Sequence, residues 1–198
     1  GHHRATMFAQ FLKNSKPIAT DAKRGLLCAY FPFSMIDIYD FSRKVQLEEG
    51  MNTADFLHNL GTIFEIIQLE RPIKPIATYD LTLFINNESY LLKWKPNVLQ
   101  KGKEMMIALD VEMFNTFVLQ ELLKITDIQN TSKVDYINGK NSAEDLFALA
   151  QNKDVAIFNF YPLTIHDVVA KAENGRFLPP KSTWFEPRVK SGLIIHEF

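Results

Sequence analysis

Residues 81–94, LTLFINNESYLLKW, decide the fold class. Two short apolar segments, Leu81–Ile85 and Tyr90–Trp94, flank the polar stretch 86–89, Asn-Asn-Glu-Ser. Asparagine tolerates the positive φ angles that tight hairpin turns need, so the pattern predicts two antiparallel strands joined by a short turn. A sheet that contains this hairpin is at least partly antiparallel.

Further apolar runs predict more strands around the hairpin. The run Leu26–Phe33 is short and aromatic, which favours a buried strand over a helix. Ile36–Phe41 alternates and is expected to pair with it, and Val155–Tyr161 is dense enough for a central strand. Shorter strands are predicted at 65–69 and 134–137, and residues 71–76 are predicted to form a loop.

Helices are predicted between these strands from apolar spacing and capping residues. They cover 3–13, a segment that starts at Asn52 or Thr53, 111–124, 142–150 and 164–175. The pairs Ser142 with Asp145 and Thr164 with Asp167 resemble capping boxes. Helices and strands follow one another without a regular βαβ order, so we expect an α+β fold with a mixed or antiparallel sheet and about five helices packed on it.

Composition limits the classes of partner and compartment. The 198 residues suffice for one sizeable domain or two small ones, and the net charge of −1 argues against binding nucleic acid by bulk charge. Cys28 is the single cysteine, so no disulfide framework exists. No apolar run reaches the roughly 20 residues of a spanning helix, and no signal peptide opens the chain. We therefore expect a cytoplasmic protein without membrane association.

The first residues, Gly1-His2-His3-Arg4, lie where a helix is predicted to begin. A helix start offers free N–H groups and partial positive charge, and glycine allows close approach of a ligand, so the segment predicts a phosphate or carboxylate site. The alternatives are a basic helix start without a ligand, or tag histidines. Gly1 is either a tag remnant or the point where the chain was cut from a longer protein.

A second candidate site is the stretch 178–188, LPPKSTWFEPR. Lys181 is suited to neutralise an oxyanion, and the hydroxyls of Ser182 and Thr183 are suited to donate hydrogen bonds. Trp184 and Phe185 would anchor the loop or stack on a ring. The alternative is a proline-bounded surface loop. The stretch lacks the GxxxxGK[ST] pattern, so it is not a P-loop.

Other chemistry finds little support in the sequence. The five histidines and Cys28 show no metal-ligand spacing, so we predict no metal site. Cys28 lies in an apolar run, where a thiol is usually inert packing. The carboxylates that we considered are expected to be caps or surface groups, although Asp135 could instead line a cleft as a base; they are Asp110, Glu112, Asp135 and Asp167. Catalytic residues stay unassigned.

The two candidate motifs together resemble a known family. GHHRAT at residues 1–6 resembles the "DGHHR" segment of the family called domain of unknown function 1015, and residues 178–196, LPPKSTWFEPRVKSGLIIH, resemble its C-terminal signature more closely. Residues 109–111 and 135–139 also look like family landmarks. Arg188 stands where lysine is usual, and the aspartate before Gly1 is missing because the chain starts there.

The resemblance implies that the chain is the C-terminal half of a protein about twice its length. Residues 1–50 would be the remnant of a ParB/sulfiredoxin-like domain and residues 51–198 the C-terminal α+β domain, with the two able to pack as one unit. The GHHR segment is similar to the signature of that superfamily, whose members place this helix start against nucleotide phosphates. The resemblance implies that Gly1, His2, His3 and Arg4 face the phosphates. We expect Lys181, Ser182 and Thr183 to complete the phosphate site, with Arg43, Glu186 and Arg188 as supporting candidates.

We therefore expect a nucleotide- or phosphate-binding protein, as a small-molecule phosphotransferase acting on a hydroxyl such as that of serine or as a nucleotide hydrolase. ATP or ADP with Mg²⁺ is the expected cofactor of the intact protein. The alternative is a non-enzymatic ParB-like regulator or a module that binds nucleic acid or another partner, although the balanced charge disfavours nucleic acid. A thiol role like that of sulfiredoxin is disfavoured, because Cys28 lies outside the motif.

Overall fold

The computed structural model describes residues 2–15, 27–107, 109–152 and 154–190, and for residues 2–4 and 15 the helical backbone alone. The helices of this part are α1 (His2–Ser15), α2 (Thr53–Leu60), α3 (Pro96–Glu104), α4 (Asp110–Met113), α5 (Ala143–Leu149) and α6 (Ile165–Glu173). Helix α4 continues directly into a π-helix, Phe114–Leu122. The strands are β1 (Asp37–Tyr39), β2 (Phe41–Gln46), β3 (Phe64–Leu69), β4 (Asp80–Ile85), β5 (Glu88–Trp94), β6 (Val134–Asn138), β7 (Val155–Phe160) and β8 (Trp184–Glu186).

Six of these strands form one antiparallel sheet in the order β3-β5-β4-β7-β2-β6. The predicted hairpin is β4 and β5, in which Leu83 pairs with Tyr90 and Ile85 with Glu88. Its turn residues Asn86 and Asn87 have φ angles of 48° and 61°, as the asparagine pattern requires. Strands β1 and β8 pair separately as a small antiparallel ribbon. The α+β class with an antiparallel sheet is confirmed.

The sheet buries apolar side chains on both faces, because neighbouring strand residues point to opposite sides. Phe158 belongs to the larger cluster, which α2, α3 and the π-helix cover, and Ile157 belongs to a smaller cluster under α5. The predicted central strand 155–161 is confirmed as β7, which is buried along its whole length between β4 and β2.

Several helix ends follow the predicted capping. The side chains of Ser142 and Thr164 accept hydrogen bonds from the backbone N–H groups of Asp145 and Asp167 at 3.0 and 3.2 Å, so both capping boxes are confirmed. Asn52 caps α2. Gly175 follows α6 with φ of 65°, a conformation that glycine adopts without strain.

The predicted buried strand Leu26–Phe33 is wrong over its described part. Residues 27–32 form no regular element, and Tyr30 is 92% exposed. Pro32 explains why the run does not enter the sheet, because proline supplies no N–H group to a ladder. Cys28, predicted to be inert packing, is exposed. Leu26 itself and the strand-like residues 192–195 lie outside the described residues.

Two other differences concern element boundaries. The predicted strand Ile36–Phe41 divides at Asp40, so that β1 enters the small ribbon and β2 enters the large sheet. The sequence analysis also missed α3, whose mostly polar residues leave only a short apolar face around Val98. Pro96 begins this helix, at a position where the absent N–H group is not needed.

Strand β2 comes from the predicted first domain but lies between β6 and β7 of the predicted second one. The division of the chain at residue 50 stays a prediction. Among the helices of the described ranges, none has the length and apolar character needed to cross a membrane.

Candidate functional site

A small cleft lies where the ribbon, the large sheet and α4 meet. The space in it that a water molecule can enter is about 10 Å³, and the surrounding non-atom space, which includes open solvent, is about 250 Å³. Apolar and aromatic side chains form most of the wall, and its polar groups belong to two buried aspartates, a serine and a tyrosine. The residues that line it are Asp40, Phe41, Asp110, Val111, Phe160, Tyr161, Leu163 and Ser182.

Asp40 is the single residue between β1 and β2, and its side chain is buried in a polar network. Its Oδ2 accepts hydrogen bonds from Asn159 Nδ2 at 2.7 Å and from Ser42 Oγ at 3.3 Å. Asn159 Nδ2 also donates to Ser42 Oγ at 2.9 Å. Burial raises the pKa of Asp40, although the positive charge of Lys74, backbone hydrogen bonds from Phe160 and Asp40 and the bond from Ser42 act against the rise.

Gly139 and Lys74 lie next to Asp40 and are linked to it by a chain of hydrogen bonds. The N–H of Gly139 donates to the backbone carbonyl of Asp40 at 3.0 Å, and Lys74 Nζ donates to the carbonyl of Gly139 at 2.6 Å. The loop that carries Lys74 is the one predicted at 71–76. It brings the positive charge of Lys74 close enough to act on Asp40.

Arg43 follows Ser42 in β2, so its side chain lies on the face of the strand opposite to that of Ser42. It is 1% exposed. Its Nη1 donates to the carbonyl of Phe41 at 2.7 Å, and its guanidinium carbon lies 4.6 Å from the ring centre of Tyr136 and 5.5 Å from that of Phe160. Its Nε and Nη2 have no hydrogen-bond partner among the described residues. Burial lowers its pKa to about 10, so the group is still a cation at neutral pH.

Asp110 faces the cleft from the first turn of α4 and is 5% exposed. Trp94 Nε1 donates to its Oδ1 at 2.7 Å, and the backbone N–H of Tyr79 donates to its Oδ2 at 3.2 Å. Burial raises its pKa to about 6; these two hydrogen bonds lower it, and the negative charges of Asp80 and Asp167 add to the rise. The prediction of a cap or surface group at Asp110 is wrong, because the side chain is buried at the cleft.

The predicted tail motif reaches the same cleft. Lys181 Nζ lies 5.4 Å from the ring centre of Phe41, and the ring centres of Phe41 and Trp184 are 5.6 Å apart. Ser182 is buried, and its hydroxyl donates to the carbonyl of Pro179 at 2.6 Å. Its proton therefore stays within the loop, and its oxygen is the part available to a ligand.

The end of the motif forms an aromatic and charged cluster on the surface. Glu186 accepts hydrogen bonds from Trp184 Nε1 at 2.8 Å and from the backbone N–H of Arg188 at 3.2 Å. The Trp184 bond and, less strongly, the charge of Lys140 lower the pKa of Glu186. The guanidinium of Arg188 lies 4.0 Å from the ring centre of Trp184. Trp184 thus anchors the loop, one of its two predicted roles.

Of the sequence-predicted residues, the structure brings Arg43, Lys181 and Ser182 to one region around Phe41. Thr183 follows them, half-buried, and Glu186 and Arg188 lie at the far end of β8. Gly1 and the side chains of His2, His3 and Arg4 lie outside the described residues. The phosphate-binding assignment of all these residues stays a prediction.

The other carboxylates considered from the sequence are engaged elsewhere. Glu112 forms a half-buried ion pair with Lys171 at 2.7 Å, and Asp167 caps α6. The side chain of Asp135 is 71% exposed and lies 3.9 Å from Lys44, so it is a surface group rather than a cleft base. Within the described ranges, no three His, Cys, Asp or Glu side chains are placed to hold a metal ion.

The sequence analysis missed Asp40, Lys74 and Asn159. One signal was present for Asn159, because an amide stands inside the otherwise apolar run Val155–Tyr161. A buried amide needs hydrogen-bond partners, so its position indicated a polar network.

The described chain thus has an α+β fold with a small cleft beside its antiparallel sheet. No family model matches the sequence, and no curated protein matches it. Solved structures with a partial likeness include a free serine kinase in complex with AMP (14% identity, TM-score 0.41, 76% of this chain and 54% of that chain). A complex of a free serine kinase with ADP has 13% identity, a TM-score of 0.41 and the same coverage.

A third similar structure is SbnI with a C-terminal truncation from Staphylococcus aureus, at 10% identity and a TM-score of 0.41, covering 79% of this chain and 53% of that chain. The chain spans about half the length of each of these structures. Likeness at this level carries no conclusion about the activity of this chain.

Proposed function

We propose that the chain supplies an anion site for the phosphates of a nucleotide, in a protein that transfers a phosphoryl group to a small hydroxyl compound. The observation that carries the proposal is the buried guanidinium of Arg43. The charge of Asp40 acts on this guanidinium, but two of its nitrogen atoms have no hydrogen-bond partner among the described residues, and buried donors are normally hydrogen-bonded to protein, water or a ligand.

The free atoms of Arg43 have the right arrangement for an oxyanion. Its Nη1 is occupied by the carbonyl of Phe41, which leaves Nε and Nη2 unpaired among the described residues. These two N–H groups form one side of the guanidinium fork, and that side binds two oxygens of a phosphate or carboxylate at once. The rings of Tyr136 and Phe160 pack beside the guanidinium and limit its movement.

A second cation supports the same assignment. Lys181 Nζ lies near the ring of Phe41, and Phe41 is also the residue whose carbonyl fixes Arg43. Lys181 is exposed and adopts a φ of 56°, an uncommon angle for a residue with a side chain. The resemblance of residues 1–4 to a phosphate-facing helix start adds further cations, with Mg²⁺ as the companion of the nucleotide.

The cleft offers polar groups to a small compound at its opening. The space inside it that a water molecule can enter is only about 10 Å³, so an acceptor would present a group to the opening rather than be enclosed. The walls are largely apolar, with Asp40, Asp110 and Ser182 as polar lining residues. A small hydroxyl compound such as serine stays the expected acceptor class.

Titration calorimetry of the full-length protein with ATP and ADP, each with Mg²⁺, tests the proposal. We expect Arg43→Met to weaken nucleotide binding by at least about tenfold, because charge-assisted hydrogen bonds are lost. Arg4→Ala tests the helix start separately. The matched control is Lys133→Ala, which removes a cation that is 49% exposed and lies 3.7 Å from Glu48.

Binding of nucleotide that is unchanged in Arg43→Met would contradict the role of Arg43. No heat with ATP, ADP or inorganic phosphate in the wild-type protein would contradict the proposed function as a whole. Equal losses in Arg43→Met and Lys133→Ala would mean that general charge rather than a built site determines binding.

A further inference from the structure

Strand β3 is an outer strand of the six-stranded sheet, and one of its two edges is open. All of its residues, 64–69, pair with β5 along the other edge. Within the described ranges, no backbone hydrogen bond from another segment reaches these residues. The N–H and C=O groups that point away from β5 are therefore available to a further strand.

The side chains of β3 offer apolar surface beside this open edge. Ile67 is 40% exposed, and Ile66 and Leu69 are half-buried. Ile67 lies opposite Leu91 of β5, which is also half-buried. Glu65 is the one charged residue of the strand. Because proteins usually protect an open edge with charges, proline or a very short strand, an edge with so little protection indicates a contact.

The outer strand at the opposite side of the sheet, β6, is better protected. Its exposed residue is Asp135, whose side chain is 71% exposed, and the strand ends at the turn that packs against Asp40. An exposed charge within an edge strand discourages pairing with another chain. The open edge that fits a partner is therefore that of β3.

We propose that two copies of this chain pair through their β3 edges, so that their sheets join into one continuous antiparallel sheet. A two-fold axis perpendicular to the sheet passes beside Ile67, which then opposes its own counterpart in the second copy. In the same register Glu65 opposes Leu69, and Ile66 opposes Gln68. Each opposed pair lies on one face of the sheet, as antiparallel pairing requires.

The charges along β3 are compatible with this pairing. Glu65 opposes an uncharged leucine of the second copy, while within its own copy it lies opposite Lys93 of β5. The two Glu65 residues are four positions apart along the joined strands, or about 13 Å, which exceeds the screening length of about 8 Å in physiological salt. Just beyond the strand, Glu70 and Arg71 have opposite charges, and the net charge of the chain is only −1.

A second copy is the partner that this edge fits. The one charged residue of β3 meets an uncharged residue, and the pairing uses both β3 edges at once, so the assembly closes as a dimer. Six residues per copy lie below the roughly 20 of a standard interface, so we expect association at micromolar concentrations.

Sedimentation velocity of the full-length protein, at concentrations between about 1 and about 200 μM, tests the proposal. We expect a monomer–dimer equilibrium in the wild type. Ile67→Lys and Ile67→Glu should each raise the dissociation constant of the dimer at least about tenfold, because each variant places like charges opposite one another at the two-fold axis.

An equimolar mixture of Ile67→Lys and Ile67→Glu tests the register. Residue 67 faces its own counterpart at the proposed axis, so the mixture brings opposite charges together and should dimerise with a dissociation constant within about threefold of the wild-type value. Recovery on mixing also shows that both variants are folded. Ile76→Lys is the matched control, because Ile76 is 81% exposed but lies outside β3; its dimer should match that of the wild type.

A wild-type protein that stays monomeric at the highest concentration would overturn the proposal. A dimer that Ile67→Lys does not weaken, or that Ile76→Lys weakens equally, would place the contact on another surface and overturn it too. Failure of the mixture to recover would contradict the register centred on Ile67. A monomer whose β3 amides resist hydrogen exchange would mean that another segment of the full-length protein covers the edge, against the proposal of a second copy.

Discussion

The Oδ1 atom of Asp40 occupies the space that a side chain at Gly139 would need, since a β-carbon there would lie 2.1 Å from it. The same β-carbon would lie 2.8 and 2.9 Å from the backbone O and N of Asp40. Backbone atoms cannot move aside as a flexible side chain can. The contact therefore requires glycine and holds the turn after β6 directly against the corner between β1 and β2.

Gly139→Ala should destabilise the protein, because the turn must retreat and the hydrogen bond from Gly139 to the carbonyl of Asp40 is lost. We expect a decrease of about 1–3 kcal/mol in the free energy of unfolding, measured by urea denaturation. Gly61→Ala is the control, because its β-carbon would come no closer than 3.1 Å to another atom. Similar losses in both variants would contradict the steric explanation.

Arg43→Met should leave the ligand-free protein at least as stable as the wild type. Methionine fills a similar space between Tyr136 and Phe160 without the two buried N–H groups that lack partners, and apolar replacements of buried charges are often neutral or stabilising. We expect the melting temperature of the wild type, but not that of Arg43→Met, to rise when MgADP is added. A strongly destabilised Arg43→Met would indicate that the charge of Asp40 already compensates the guanidinium.

The pKa of Asp110 makes stability depend on pH. Because the pKa is raised from 3.8 to about 6 in the folded protein, the native state binds this proton more tightly than the unfolded state. This group therefore costs no stability below about pH 4; its cost grows as the pH rises from about 4 to about 6 and then levels off at on the order of 3 kcal/mol.

Urea denaturation at pH 4 and pH 7, in wild type and Asp110→Asn, measures this effect. Asparagine cannot titrate, so the difference in unfolding free energy between the two proteins should shift in favour of the variant at the higher pH. Asp40, whose pKa is also raised, is present in both proteins and cancels in the comparison. A difference that is independent of pH would contradict the raised pKa of Asp110.

Trp184→Ala should loosen the tail from the sheet. Its ring meets that of Phe41 at 5.6 Å, and its indole N–H holds Glu186. We expect faster hydrogen exchange at residues 178–188, while β4 and β7 keep their protection. Phe185→Ala is the control because Phe185 is 37% exposed; an equally fast exchange in that variant would argue against the anchoring role of Trp184.

The parts of the fold that depend on local sequence were predictable. The hairpin of β4 and β5 follows from its turn residues, and both capping boxes follow from residues three positions apart. The run at 26–33 shows the limit of that approach, because an apolar segment is a strand only where neighbouring strands accept it. Nothing local distinguishes residues 27–32 from β7 except Pro32.

The cleft was less predictable, because its groups come from distant parts of the chain. Asp40 and Asn159 are 119 positions apart, and Lys74 reaches Gly139 across 65. Asp110 resembled an ordinary helix-start residue until its burial and its bond to Trp94 were known. Arg43 was a candidate from the sequence, but its unpaired atoms depend on how three strands place Tyr136 and Phe160 around it.

Asp40 is also the single residue at which the chain passes from the ribbon to the large sheet. Tyr39 pairs with Trp184 in the ribbon, while Phe41 pairs with Asn138 in the large sheet, and one residue separates the two pairings. A connection of one residue leaves the backbone little freedom to adjust. A movement of the ribbon toward the sheet would therefore change the backbone angles of Asp40. The same movement would displace the tail, which forms β8 of the ribbon, and the cleft wall, which includes Asp40.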